Sequence, residues 1–360
     1  MEKSRLATSA GSLWLPDLFR ASRTRKPIYA GLSMALAPDL ASKQDLGFYI
    51  LLGGSGQRIG VAPRFQPPPP PTATLSFGSA GKGAYMPELP EVEALRHSLD
   101  ESISASEIAT AGPAHVATLK TVAPPLEALV KRRFSSVARR GKRLLFPTTD
   151  GELVLVVHLM SAGRLRALRS GERAPLRPAF RLRFADGREL VLTEPGKRKR
   201  AGVWLFGSDE VEAELADLGP DALGLDRELV ERLLTGKRRR LHGLLRDQRV
   251  TSGIGRAWAN EILHAARLSP FALASDLSGE ELDRLTRAIR TELERGIEAR
   301  ERGLADEHVY RIHGKLDQPC SVCGAPIARV VYEEHTVYYC PRCQTRGRLL
   351  ADRRLSRILR

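Results

Sequence analysis

The sequence predicts an α+β fold, and three observations carry that expectation. Short apolar strands with polar turns fill the middle of the chain. Helical periodicity takes over from about Pro220, and a four-cysteine hairpin closes the structured part. The expected architecture is an N-terminal β-sandwich with flanking helices, then a helical domain, then a metal-binding hairpin. The chain has 360 residues, 42% of them hydrophobic, enough for two or three domains with proper cores. Lys and Arg total 57 against 42 Asp and Glu, a formal charge of +15. That excess points to a polyanionic partner, nucleic acid first. No apolar run approaches the roughly 20 residues that a membrane-spanning helix needs.

Residues 1–85 lack a clear period. Phe48-Tyr49-Ile50-Leu51-Leu52 is a short apolar run that leads into Gly53-Gly54-Ser55-Gly56-Gln57-Arg58-Ile59-Gly60. Ile59 stands where a dinucleotide loop needs its third glycine, so this reads as a loop. Pro67 to Pro71 can build neither helix nor sheet. Glu2, Asp17 and the missing apolar core argue against a targeting peptide. The segment reads as a disordered extension or as a translation start placed too far upstream, with a small domain as the lesser alternative.

At Met86-Pro87-Glu88-Leu89-Pro90-Glu91-Val92-Glu93 the texture changes. Proline and acidic residues suit the first turn of a helix and its positive dipole end. Glu91, Val92, Leu95, Leu99 and Ile103 continue it with helical spacing. Leu144-Leu145-Phe146 and Leu153-Val154-Leu155-Val156-Val157 read as strands around the turn Thr149-Asp150-Gly151. Phe180 to Phe184 alternates with period two, Asp186-Gly187 turns it into Leu190-Val191-Leu192, and Val203 to Phe206 ends the set. Leu229, Val230, Leu233 and Leu234 form one helical stripe, and Leu241, Leu244 and Leu245 another. Ser278-Gly279-Glu280-Glu281 opens a helix that runs toward Gly303.

Cys320-Ser321-Val322-Cys323 and Cys340-Pro341-Arg342-Cys343 are two C-x2-C pairs with 16 residues between them. Two such knuckles complete a closed tetrahedral site, so one structural Zn2+ is expected, with iron as the lesser alternative and no open position for catalysis. Ile327 to Val331 and Thr336 to Tyr339 read as the hairpin between the pairs, and residues 346–360 as a basic tail. The expected boundaries are 1–85, 86–215, 216–305, 306–345 and 346–360.

From Pro87 to about Gln344 the chain resembles the formamidopyrimidine-DNA glycosylase and endonuclease VIII family. The resemblance rests on Met86 to Glu93 and on Cys320-Ser321-Val322-Cys323-Gly324-Ala325-Pro326-Ile327. It also rests on Arg139-Arg140-Gly141-Lys142-Arg143-Leu144-Leu145, His158-Leu159-Met160-Ser161-Ala162-Gly163 and Gly253-Ile254-Gly255-Arg256-Ala257-Trp258-Ala259-Asn260-Glu261. It implies a helix-two-turn-helix in the helical domain and a C-terminal zinc finger. It implies that the initiator Met is removed and that the secondary amine of Pro87 attacks the sugar of a damaged nucleotide. Glu88 then donates a proton with Glu91 in support, Lys142 contacts the lesion-side phosphate, and Met160 fills the gap left by the flipped base. Read from the residues alone, Met160 is a core residue, Lys142 part of a solvated charge run and Glu88 a helix-start acid.

Three positions depart from the family pattern. Arg256 stands in place of the phosphate-binding Asn, Ala201 in place of the wedging Phe, and His335 in place of the hairpin Arg, whose catalytic-site role toward the lesion phosphates the resemblance implies for it. The run Lys197-Arg198-Lys199-Arg200 still suits phosphates, and Lys199, Arg200 and Arg256 are expected on DNA. The resemblance implies a monomeric base-excision-repair DNA glycosylase with AP-lyase activity. It would act on damaged double-stranded DNA, in the cytoplasm at the nucleoid, with no membrane partner. The rival reading is a lesion- or structure-specific DNA-binding protein of the same fold that has lost the chemistry. A zinc-finger regulatory protein is a third.

Overall fold

A computed structural model describes residues 86–103, 106–196, 198–332 and 335–350. The expectations for residues 1–85, for Lys197 and for the tail beyond Leu350 lie outside the described residues. The first helix, α1 (Leu89–Ile103), is followed by β1 (Ile108–Ala114), β2 (Ala138–Arg140), β3 (Arg143–Pro147) and β4 (Leu153–His158). Then come β5 (Arg164–Leu168), β6 (Phe180–Phe184), β7 (Glu189–Thr193) and β8 (Gly202–Gly207). They form two four-stranded antiparallel sheets, in the orders β1-β6-β7-β5 and β2-β3-β4-β8.

Strand alternation explains the sandwich. Leu144, Phe146, Leu155 and Val157 of one sheet share a buried core with Phe180, Leu182, Leu190 and Leu192 of the other. Val92, Leu95, Leu99 and Ile103 of α1, spaced by three and four, close one side of that core. Leu89 of the same helix belongs instead to the helical core with Trp258, Ile262 and Leu293. Thus α1 is shared between the two cores.

The helical part begins after α2 (Ser208–Leu215). It contains α3 (Arg227–Leu234), α4 (Leu241–Leu245), α5 (Arg256–Ala265), the 23-residue α6 (Gly279–Glu301) and α7 (Asp306–Val309). Asp226 caps α3, and Ser278 with Glu281 forms the expected capping box on α6. The last elements are the hairpin β9 (Ala328–Val331) and β10 (Thr336–Tyr339), then α8 (Pro341–Thr345). Among the described residues no helix is long and apolar enough to cross a membrane.

The expected strands and helices all form. Strands β1, β2 and β5 and helices α2, α7 and α8 were not anticipated. β1 contains Gly112-Pro113, and its register against β6 shifts between Ala111 and Ala114, which breaks the alternation a strand advertises.

Candidate active site

The site is built around the N-terminus of α5. The turn that feeds it runs from Arg246 to Gly255, and Gln248 holds it together. Its Nε2 donates to the carbonyls of Arg246 (2.9 Å) and Ile254 (2.7 Å), while its Oε1 accepts from Gly253 N (3.0 Å). Gly253 has φ +107°, and a Cβ there would lie 2.5 Å from Leu89 Cδ1, so only glycine lets α1 come so close. The Leu89 amide donates to the Gly253 carbonyl (3.0 Å).

That contact delivers Glu88 to the first turn of α5. Its Oε2 accepts from Gly255 N (2.7 Å) and Trp258 N (3.2 Å), and Oε1 accepts from Ala257 N (2.9 Å). The carboxylate thus occupies the position where a helix N-terminus binds an anion. Burial raises its pKa, against the lowering pull of Lys142 and of the backbone N–H groups. An ideal Cβ on Gly255 would lie 2.2 Å from the Glu88 carboxyl carbon and 2.6 Å from Lys142 Nζ, so this glycine is where acid and ammonium meet. Burial lowers the pKa of Lys142, with Glu88 and Glu91 opposing.

Glu91 is fully buried one turn on. Its Oε2 accepts from Glu88 N (3.0 Å), and its Oε1 accepts from Arg300 Nε (2.9 Å) and Tyr310 OH (3.2 Å). It therefore holds the backbone beside Pro87, and its own carboxylate is turned inward. Pro87 is buried, next to Met86, which is 39% exposed. Lys142 reaches the site from the tight β2–β3 turn. Arg139 pins that turn by a bidentate pair to Asp221 (2.6 and 2.9 Å) and a bond to Glu93 (2.6 Å).

The structure therefore brings Glu88, Glu91 and Lys142 together beside Pro87, with Arg256, the first residue of α5, near enough to Lys142 to help lower its pKa. The remaining expected residues lie on other loops. Met160 adopts φ +51°, a conformation that favours glycine, and its amide donates to His158 Nδ1 (3.0 Å). Burial, with Arg143 and Lys142 nearby, lowers the His158 pKa to about 4. Lys199 folds back onto the carbonyls of Glu194 and Gly196, and Arg200 is exposed. Ala201 is fully buried in the sandwich core, with its amide on Glu194 Oε2 (3.0 Å), so it offers no wedge to DNA. His335 stacks on Tyr332 (4.6 Å between ring centroids) and lies parallel to His242 (6.1 Å).

Sequence reasoning missed the residues that join α5 to its surroundings. Glu261, buried, accepts backbone N–H groups from Arg311 (2.9 Å), Ile312 (3.0 Å) and His313 (2.8 Å). Asn260 meets His313 Nδ1 (2.8 Å). His264 Nε2 lies 3.2 Å from Cys320 Sγ. The signal was a row of polar side chains on an otherwise apolar helix.

The four cysteine sulfurs lie within 4.8 Å of one another, with Cys320–Cys343 at 3.9 Å and Cys323–Cys340 at 3.4 Å. A zinc tetrathiolate needs sulfurs about 3.8 Å apart, so the donor set fits one structural zinc, and His264 suits a donor to a thiolate. Cys340→Ser should release the zinc and lose DNA binding, because ligation supplies folding free energy that so small a hairpin lacks. Metal analysis and a binding titration check this. Folded, DNA-binding protein without zinc would refute it.

Three family models match the chain: the formamidopyrimidine-DNA glycosylase N-terminal domain over residues 86–201, its H2TH domain over 218–308, and the zinc finger found in FPG and IleRS over 317–346. The formamidopyrimidine-DNA glycosylase of Herpetosiphon aurantiacus is 33% identical over 276 residues, which cover 72% of this chain and 100% of the relative. The chain belongs to the formamidopyrimidine-DNA glycosylase family. The glycosylase of Salmonella paratyphi B is 32% identical over 274 residues, again its full length. Among solved structures, Lactococcus lactis Fpg (MutM) bound to DNA with an oxidised pyrimidine aligns over 72% of this chain and 100% of its own, with TM-score 0.66 and 25% identity. The L. lactis Fpg complex with abasic-site DNA aligns at TM-score 0.66 and 23% identity, covering 72% of this chain and 99% of its own. The family's H2TH segment contains the α4–α5 turn, and its zinc-finger segment contains the four cysteines.

Proposed function

We propose that residues 86–345 form a base-excision-repair DNA glycosylase that removes oxidised bases from duplex DNA and then cuts the strand as an AP lyase. The working units are 86–215, 216–305 and 306–345. The reading has the protein act as a monomer in the cytoplasm, at the nucleoid. The observation that carries it is the buried carboxyl of Glu88, seated at the α5 N-terminus between Pro87 and Lys142.

The chemistry follows from those groups. DNA presents the damaged nucleotide flipped out of the stack, and Met160 fills the gap. The free amine of Pro87 bonds to C1′ of the sugar. The bond from C1′ to the base breaks, and the base leaves with the electron pair and takes up a proton. Glu88 donates its proton to O4′, the C1′–O4′ bond opens as the Pro87 nitrogen lone pair closes onto C1′, and the sugar is held as an iminium ion on Pro87. Loss of a C2′ proton then expels the 3′ phosphate. Lys142 and Arg256 hold the phosphates of that strand, with His335, Lys199 and Arg200 at its margins. Lys199 must first leave its two carbonyls. Zinc holds the hairpin and takes no part in these steps.

The test is duplex DNA carrying an oxidised base, incubated with zinc-loaded protein that begins at Met86. Free base and a cut strand are expected. Tight binding with no base released would overturn the reading and leave the non-catalytic DNA-binding protein in its place.

A further inference from the structure

Several arginines of the helical part form ion pairs, and Arg238, Arg267, Arg287 and Arg290, which form none among the described residues, are exposed. Arg239 pairs with Asp247 (2.8 Å), Arg295 with Glu292 (2.8 Å), and Arg300 with Glu91 (2.9 Å). Arg246 is different. It follows α4 directly, half-buried, and among the described residues no carboxylate forms an ion pair with it. Its carbonyl is held by Gln248, the side chain that also fixes Gly253 and Ile254 ahead of Arg256. Arg246 and Arg256 are therefore set on the two ends of one braced turn.

Three cations lie close enough around that turn to repel one another. Lys142 is repelled by Arg246 and Arg256, and Arg246 by Arg256. Burial is the first cause that lowers the pKa of both Lys142 and Arg246. The acid that opposes them is Glu88, whose oxygens are already engaged by three backbone N–H groups. The Glu91 carboxylate is taken up by Arg300, Tyr310 and Trp258. Partly desolvated positive charge that one buried acid balances incompletely is costly, and a ligand that supplies a further anion recovers part of that cost. Meanwhile the zinc hairpin presents at His335 a stacked ring rather than a guanidinium.

We propose that Arg246 is a phosphate-binding residue, which with Lys142 and Arg256 grips the backbone of the damaged DNA strand. The assignment rests on the reading of this site as that of a DNA glycosylase. A guanidinium on the α4–α5 turn supplies the fixed positive charge that the hairpin tip lacks, and its fork suits two phosphate oxygens at once. The phosphate grip thus moves from the zinc hairpin to the helical core.

The experiment uses the full, zinc-loaded chain, Arg246→Gln and Arg246→Lys, with duplex DNA carrying a tetrahydrofuran abasic analogue. Affinity is measured across a salt series, and thermal melting is measured without DNA at low salt. Arg246→Gln should weaken binding roughly tenfold, the size of one lost charge-assisted hydrogen bond. It should also flatten the log-affinity versus log-salt slope by about 0.9. It should raise the melting temperature, because removing one of three mutually repelling cations relieves the free protein. Arg246→Lys should restore the slope without restoring full affinity. An unchanged slope on Arg246→Gln overturns the proposal. So does a variant that melts lower, binds more weakly and is not rescued by lysine, since that marks a merely structural arginine. A changed slope, together with no base release from zinc-loaded protein that begins at Met86, would sink the glycosylase reading and leave this phosphate site standing. Base release with an unchanged slope would do the reverse.

Discussion

Glu88→Gln should lower the rate of base release by roughly 10²–10⁴-fold at neutral pH, the range of a lost general acid. Affinity for abasic DNA should hold, because glutamine is neutral like the protonated acid and leaves Lys142, Arg246 and Arg256 in place. Glutamine keeps the shape but not the hydrogen bonding. Both oxygens of Glu88 accept backbone N–H groups, so the new NH2 faces a donor at the start of α5 and costs about 1–3 kcal/mol of stability. Thermal melting separates that loss from the chemical one. The pH profile carries a further signature. Burial raises the Glu88 pKa, so the acid persists to higher pH than in an ordinary glutamate. The rate of the parent protein should fall as pH rises through that raised value, and the glutamine variant should lack this limb. By the same linkage, the folded parent holds a proton that the unfolded chain has released, so this group's stabilisation is full below its ordinary pKa. It is lost as pH rises through the raised one. Single-turnover base release across pH is the measurement. A variant as fast as its parent removes Glu88 from the chemistry, and a loss of binding equal to the loss of rate makes its role structural.

The sequence displayed some of this site and concealed the rest for physical reasons. Strands β3, β4, β6, β7 and β8 announced themselves because alternation and turn residues are local signals. The cysteine knuckles did so because metal geometry fixes their spacing. β5 shows period-two burial with Arg164 and Arg166 exposed, yet it is short and follows a loop without a turn signal that sets its start. Glu88 could be singled out only through the family's motif. By composition it is a helix-start acid, and its real partners are amides 167 to 170 residues away. Arg246 gave no signal beyond one cation ending an apolar stripe, because its meaning depends on a turn held by Gln248. Ala201 was a departure whose consequence the sequence left open. Its burial against the sandwich core removes the position from the DNA surface altogether.

Protein that begins at Met86 and loses it should be trapped covalently on abasic-site DNA by borohydride, and protein carrying residues 1–85 should bind the same DNA without a Pro87 adduct. The difference is set by one nitrogen. Within a chain, proline nitrogen is part of a tertiary amide and has no lone pair free to attack. At a terminus it is a secondary amine that forms an iminium ion, which borohydride reduces to a stable bond. The surroundings favour reaction. Pro87 is buried next to Glu88, whose amide is held by Glu91, so the chain enters the site along a fixed path. Lys142 and the two arginines raise the local positive charge, which disfavours protonation of a further amine there. Mass spectrometry of the native protein's first residue shows which form the cell makes. Pro87→Ala in the trimmed protein keeps a primary amine and retains part of the trapping, so a blocked terminus is the stricter control and should abolish it. If the trimmed, zinc-loaded protein binds abasic DNA and never traps, the site binds lesions without processing them. If the full chain traps as well as the trimmed one, another amine is the nucleophile, and the closeness of Lys142 to Glu88 makes that lysine the first to replace.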